Sequence, residues 1–371
     1  MWDIWRRHKR KFYLTAGVLG SGYLLYKLYD AHKRKLFDLE RELAGEREND
    51  EFIKAQMQEH FANIQRIADT TTLPHSMSYL RNQVAEMLDH LHLTEKLTRG
   101  KGQPNTLTPA EKLELWDELK LLSFTKTMLS LWSLTMLNLY IRVQVNILGR
   151  HLYIETARCF GPSDLLEEAD LIDRNDQQQF LASADFLSNE GMLSLIAGMQ
   201  AAVSEVLIGR QWKDLFNATI LHETFVQILD TFMSNGSPHH WINCLMPEND
   251  SIVSGGGGSG SIDRDPSDLS KLDQLMMEAR AVLSSNEFGN IVEISLKRVV
   301  DLLVEDSVQF GGDYNLSTTG IPLAKLVPRV AQMSSTLLEE PTNNNRYIQT
   351  IQKNPDVEFF FTLLYANMPI S

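Results

Sequence analysis

A chain of 371 residues with 43% hydrophobic and 22% charged content has the balance of a folded globular protein, which argues against wholesale disorder. Its net charge of −13 is unevenly spread: residues 1–35 hold nine Lys/Arg against two Asp, giving +7, and the remainder carries −20. An acidic body argues against nucleic-acid binding, which rests on Lys/Arg neutralisation of phosphates, and two cysteines, Cys159 and Cys244, are too few for a disulfide framework or a four-thiolate metal site.

The chain opens on a short basic stretch, residues 1–11, with Arg6, Arg7, Lys9, Arg10 and Lys11. Such a head suits an anionic membrane surface, where each cation contributes roughly 1 kcal/mol. Residues 12–26 contain no charge. Extended through 12–29, with Lys27 snorkelling, the span reaches about 27 Å at ~1.5 Å per residue, marginally enough for a hydrocarbon core of about 30 Å. Trp2 and Trp5 sit where interfacial aromatics are favoured. No small-residue cleavage site follows the apolar run, and the segment lacks the Arg/Ser-rich character of a mitochondrial presequence. We read 12–29 as a single uncleaved transmembrane anchor and 30–371 as the body. Lys/Arg flank both ends of the span, so charge alone leaves its orientation open.

From Lys33 to about Asp69, spaced apolar residues (Leu36, Leu39, Leu43, Phe52, Ile53, Met57) predict an amphipathic helix. Pro74 opens the next predicted helix, which runs through Leu80, Val84, Leu88 and Leu91 to Leu97. Residues 99–109 are rich in turn formers and predict a loop. Thr108, Pro109 and Glu111 then spell a helix start: a capping hydroxyl, proline at the first position and glutamate at the third. The helix they open is predicted to run to about Gly149. Its residues 127–141 are fifteen uncharged positions that resemble a second membrane span, but Ser130, Ser133, Thr135 and Asn138 interrupt them. A helix apolar almost all round is what the centre of a large bundle requires. Further helices are predicted at 174–188, 190–208, 212–234, 266–286, 288–309, 321–340 and 344–365, with no strand pattern. The Gly/Ser-rich run in 248–268 reads as a flexible loop within one fold, although its composition also fits a linker between lobes or a splice.

Few residues suggest chemistry. Gly255–Gly258 lacks both a preceding strand and a following Lys-Ser/Thr, so it is no phosphate loop. The pairs His90/His92 and His239/His240 lack helical ligand spacing and read as surface histidines. Four Asn-x-Ser/Thr sequons (Asn217, Asn235, Asn249, Asn315) matter only if the body is lumenal. No catalytic residues, cofactor, metal or small-molecule substrate is expected. Binding remains: Lys112-Leu-Glu-Leu-Trp116-Asp-Glu-Leu119-Lys is amphipathic, and Trp116 there is either core or a partner's anchor.

The stretch from Lys112 to Lys126, continuing through Ile141-Arg-Val-Gln-Val-Asn-Ile-Leu-Gly149, closely resembles the central helix of the peroxin-three family. So do Arg6–Lys11, His60–Arg66, Trp241–Asn243 with Met246–Asn249, and Pro322–Pro328, in the family's order over almost the whole length. The resemblance implies an all-α fold: a large elongated helical bundle around one long central apolar helix, preceded by a single N-terminal transmembrane helix. It implies a peroxisomal membrane protein, single-pass, with the bulk of the chain in the cytosol among peroxisomal membrane lipids. Such a protein docks peroxin nineteen, the soluble chaperone-receptor for newly made membrane proteins, by taking an amphipathic helix into an apolar groove. Carried over by position, Trp116 is the central aromatic of that groove, Leu97, Lys112 and Leu119 are its neighbours, and Pro322 and Lys325 form its opposite wall. An organelle tether or scaffold, and a membrane-tethered enzyme with a dispersed site, are the alternative function classes.

Overall fold

The computed structural model describes residues 58–89, 95, 108–159, 172–236, 239–247, 270–310, 316, 319–339 and 345–366. The chain divides into two units, Met1–His60 and Phe61–Ser371. The predicted anchor at 12–29, Leu97 and the Gly/Ser-rich 248–268 stretch lie outside the described residues.

The described residues of the second unit form an all-α bundle with eleven named helices. In chain order they are α1 (Leu73–Met87), α2 (Pro109–Cys159), α3 (Arg174–Ala182), α4 (Met192–Leu207), α5 (Ala218–Ser234), the single turn α6 (Ile242–Leu245), α7 (Lys271–Leu283), α8 (Asn286–Phe310), α9 (Leu323–Leu337), α10 (Arg346–Gln352) and α11 (Pro355–Ala366). Two-residue strands, β1 (Leu215–Phe216) and β2 (Ile321–Pro322), pair antiparallel.

The central helix α2 holds the bundle together. Its 51 residues span about 77 Å at ~1.5 Å per residue. Thr108 and Glu111 start it as a reciprocal capping box: Thr108 N–H donates to Glu111 Oε2 at 2.7 Å, and Glu111 N–H donates to Thr108 Oγ1 at 3.3 Å. Residues 127–141 are buried throughout, as a core helix demands. Most of their polar groups are satisfied inside the protein. Ser130 and Thr135 donate to the carbonyls of Lys126 and Leu131 one turn back. Thr127 Oγ1 reaches across to the Val330 carbonyl of α9 at 2.6 Å. Farther along, Gln144 Nε2 donates to the Phe180 carbonyl at 2.6 Å, and Tyr140 and Ser183 hydroxyls meet at 3.0 Å. Among the described residues no helix is long and apolar enough to cross a membrane.

Several boundaries differ from the sequence-based expectation. Pro74 lies in the first turn of α1, as expected, but the chain before it is not a loop: it is already helical from 58 and passes through a π-turn at Ala68–Thr72. The widened turn accommodates the ring of a proline that lacks an N–H and crowds the carbonyl four residues back. This helix ends at Met87 and not near Leu97; its last turn has no basic residue, and Asp89 follows where a helix terminus disfavours negative charge. The central helix continues past Gly149 to Cys159. That glycine is an approach point: a Cβ there would collide with Ile64, so its missing side chain seats the Ile64 helix against α2. The helix expected over 344–365 is two, broken before Pro355. His239 and His240 are half-buried and not on the open surface, with rings against Trp241 and Phe232.

Ion pairs and hydrogen bonds tie remote elements to α2. Arg142 Nη2 lies 3.1 Å from Asp69 of the π-turn, which also accepts from Gln352 Nε2 of α10 at 2.8 Å. Burial raises the Asp69 carboxyl above its ordinary range, against the lowering pull of Arg142. Glu278 of α7 accepts from both Arg150 and His151. Burial, with the nearby charges of Arg150 and Lys271, lowers His151 to about 4, so at neutral pH its uncharged ring donates from Nε2 to Glu278.

Candidate functional site

The first turns of α2 extend beyond the buried middle of the helix. There Leu113 is 53% exposed and Trp116 is 38% exposed. Facing them is the turn that leaves α4, with Ile208 81% exposed and Leu215 of β1 56% exposed. A trough of about 660 Å³ runs between the two, lined by Leu113, Asp117 and Lys120 on α2 and by Leu207, Ile208 and Trp212 opposite. Trp116 stands beside it with its ring edge-on to Trp212, centroids 5.8 Å apart.

The second wall is held in place by backbone pairing. β1 and β2 align Leu215 with Pro322 and Phe216 with Ile321. Pro322 caps α9 but offers no side-chain acceptor, so the first amides of α9 find partners in the 212–214 turn. Leu323 N–H donates to the Asp214 carbonyl at 2.9 Å, and Ala324 N–H donates to the Trp212 carbonyl at 3.1 Å. Gly320, with φ +81°, delivers the chain into β2; a Cβ would lie 3.1 Å from the Phe216 carbonyl. On the other side Asn217 caps α5, its Oδ1 accepting from Ile220 N–H at 2.8 Å. One of the four sequons thus carries a capping asparagine.

Charge frames the apolar surface without filling it. Lys120 lies 5.1 Å from the centroid of the Trp212 ring while pairing with Asp117 at 2.9 Å. Arg210 stacks over Phe216 at 5.6 Å. These contacts hold long cationic side chains along the walls, so the indoles present a rigid surface with charged groups at its rim.

Of the residues expected here, Trp116 is partly exposed and Lys112 half-buried, whereas Leu119 is only 8% exposed and packs beneath them. Pro322 is half-buried in β2, and Lys325 is exposed in the first turn of α9. The 212–214 turn links Trp116, through Trp212, to the Pro322 strand. Sequence reasoning missed Trp212, Leu113, Ile208 and Leu215. The sequence predicts a helix from 212 that would include Trp212, whereas the helix begins at Ala218. The available signal was Asn217, a helix-capping residue preceded by the mixed polar-aromatic Gln211-Trp-Lys-Asp214.

The site is thus an open trough beside the first turns of α2, with the Trp212 indole in its lining and the Trp116 indole next to it. The Peroxin-3 family model matches residues 74–367, and the chain belongs to the Peroxin-3 family. It is similar to Peroxisome biogenesis protein 3-2 of Arabidopsis thaliana, 55% identical over 99% of this chain and 98% of the relative, and to Peroxisome biogenesis protein 3-1 of the same plant, 54% identical over the same shares. It is also similar to Peroxisomal biogenesis factor 3 of Homo sapiens, 28% identical over 96% of this chain and 94% of the relative. Membership makes it a peroxisomal protein, a non-enzymatic factor of peroxisome biogenesis.

Proposed function

We propose that the trough beside Trp116 and Trp212 is the seat for an amphipathic helix of peroxin nineteen, so that the chain acts as a docking receptor in membrane-protein insertion. The observation that carries this reading is the half-open Trp116 indole, braced edge-on by Trp212 at 5.8 Å over an unfilled apolar trough. An amphipathic helix fits because the lining is itself mixed: Leu113, Leu121, Leu207, Ile208 and Trp212 offer apolar surface, and Asp117, Glu118, Lys120 and Arg210 can meet polar positions of the incoming helix. Lys112 and Leu119 flank and support the Trp116 wall, and Pro322 and Lys325 belong to the wall fixed by the β1–β2 pair. Leu97 is assigned to the same rim on family resemblance alone.

Residues 12–29 form the anchor in this proposal, with 1–11 a short basic head and 30–371 a cytosolic body held close to the peroxisomal membrane. The charge distribution is compatible with it: the basic head, five Lys/Arg against Asp3 in residues 1–11, adjoins an uncharged apolar run at 12–26, and the residues after 35 are net acidic.

Replacing an aromatic anchor in such a groove typically costs 2 kcal/mol or more of binding. Trp116→Ala is expected to weaken binding of a peroxin-nineteen helix peptide by at least ~2 kcal/mol, by calorimetric titration, while the melting temperature stays within a few degrees of the parent. A variant that binds normally, or one that unfolds, contradicts the assignment of Trp116 as an anchor.

A further inference from the structure

A second cleft, remote in sequence from the Trp116 trough, carries a different chemistry. It lies between α8 and α10, encloses about 360 Å³, and is lined by Arg298, Arg346, Lys353, Gln349, Thr350 and Asn354, with Leu302 and Pro355. The α10 side contributes one stripe: Arg346, Gln349 and Thr350 of the helix and its C-cap Lys353 fall at i, i+3, i+4 and i+7. The opposite face of α10 holds the buried Tyr347, Ile348 and Ile351. A short helix has therefore packed its apolar face inward and turned two cations and two hydrogen-bonding side chains toward an open cleft, where Arg298 of α8 adds a third cation.

No carboxylate lines this cleft. Three others in the same unit each carry two: Asp117 and Glu118 beside Trp212, Asp230 and Glu293 between α5 and α8, and Asp306 and Glu339 between α8 and α9. Asp306 touches one edge of Arg346, through Nη1 at 2.6 Å, and also accepts from the Tyr347 hydroxyl at 2.8 Å. That contact orients the guanidinium, whose side chain remains 55% exposed. The acids in the first turn of α11, Asp356 and Glu358, stay outside the lining. In a chain of net charge −13, three like charges gathered around one concavity repel each other, and Asp306 offsets only part of that, meeting Arg346 from outside the lining.

We propose that this cleft binds clustered phosphate groups, as on a multiply phosphorylated inositol. Two guanidinium forks match phosphate oxygens in pairs, the Lys353 ammonium adds a movable point charge, and Gln349 and Thr350 supply neutral donors. The ligand is small, to suit the volume, and multiply charged, to answer three cations at once. A phospholipid headgroup and a free inositol phosphate present the same chemistry.

The test titrates the full-length chain in detergent micelles with inositol trisphosphate, and separately with a short-chain phosphatidylinositol bisphosphate doped into the micelles. Each is compared with an Arg298→Gln/Lys353→Gln variant and with an Arg346→Lys variant, which keeps charge but removes the fork. Saturable binding by the parent, weakened at least tenfold in the double variant with no loss of melting temperature, supports the site. Binding in the soluble arm alone identifies a free ligand, and binding only in the lipid arm identifies a headgroup. Absence of binding in both arms overturns the proposal. So does binding that survives the double variant, because the basic head at residues 1–11 would then be its seat. Equal binding to phosphatidylserine-doped micelles also overturns it, since charge density alone would then suffice.

Discussion

Trp116, Asn138 and His151 lie on one helix and do three different jobs, set by what surrounds each. Trp116 is near the start of α2, partly exposed, with its ring edge-on to Trp212. Asn138 is fully buried, and neither polar atom of its amide has a hydrogen-bond partner among the described residues. A buried unsatisfied polar group costs about 1–3 kcal/mol, so Asn138→Leu is expected to raise the unfolding free energy in urea by roughly 1 kcal/mol. A loss of stability in that variant would mean that the amide has a partner when folded. His151 gives a pH signature. Its pKa is lowered from 6.5 to about 4, so the stability gained by keeping it neutral is fully present above pH 6.5 and is lost as pH falls towards 4. His151→Gln should flatten part of the decline in melting temperature across that window; an unchanged slope would assign the decline to other groups. The capping box at Thr108 was legible from sequence because it is written within four residues. The role of Trp212 was not, because its exposure is fixed by strands 215–216 and 321–322, about a hundred residues apart.

At the scale of elements, the same contrast between local and remote causes separates what was readable from what was not. The burial of 127–141 followed from composition: hydroxyl and amide side chains dispersed through an apolar helix can bond back to their own helix or to neighbours, as Ser130, Thr135 and Thr127 do. The continuation of α2 through Gly149 did not, since that glycine reads locally as a stop and functions as a contact with Ile64. Pro74 likewise reads as a start, and the π-turn before it absorbs it into a longer helix. The 212–216 segment is the element on which the trough depends, and Gly320 is its weakest point. A residue with a Cβ at φ +81° incurs roughly 1–2 kcal/mol of strain, and here also presses on Phe216. Gly320→Ala is expected to lower stability by about that amount and to weaken helix binding as well, because the turn holding Trp212 shifts with β1. Full binding in a destabilised Gly320→Ala protein would separate the turn from the trough.

Across the whole molecule, architecture serves position. A long buried helix gives the bundle an axis stiff enough to carry two indoles at one end, and no step of chemistry is asked of it. The proposed anchor rests on the uneven charge of the sequence, basic in residues 1–35 and acidic after them. Deleting residues 1–30 is expected to release the body from membranes under alkaline extraction while leaving its helical circular dichroism intact. Retention in the membrane fraction would move the anchoring role into the bundle. The family assignment was readable from the Lys112–Gly149 stretch because a buried central helix tolerates few changes of size, and its packing therefore leaves a long continuous pattern in the sequence.

The most direct measurement of the docking claim follows the indole N–H resonances of the tryptophans while a peroxin-nineteen helix peptide is added. The signals of Trp116 and Trp212 should move together and saturate at one stoichiometric equivalent, while those of the buried Trp132 and Trp241 stay in place. Saturable binding that leaves Trp116 and Trp212 unmoved would show that the helix seats elsewhere on the protein.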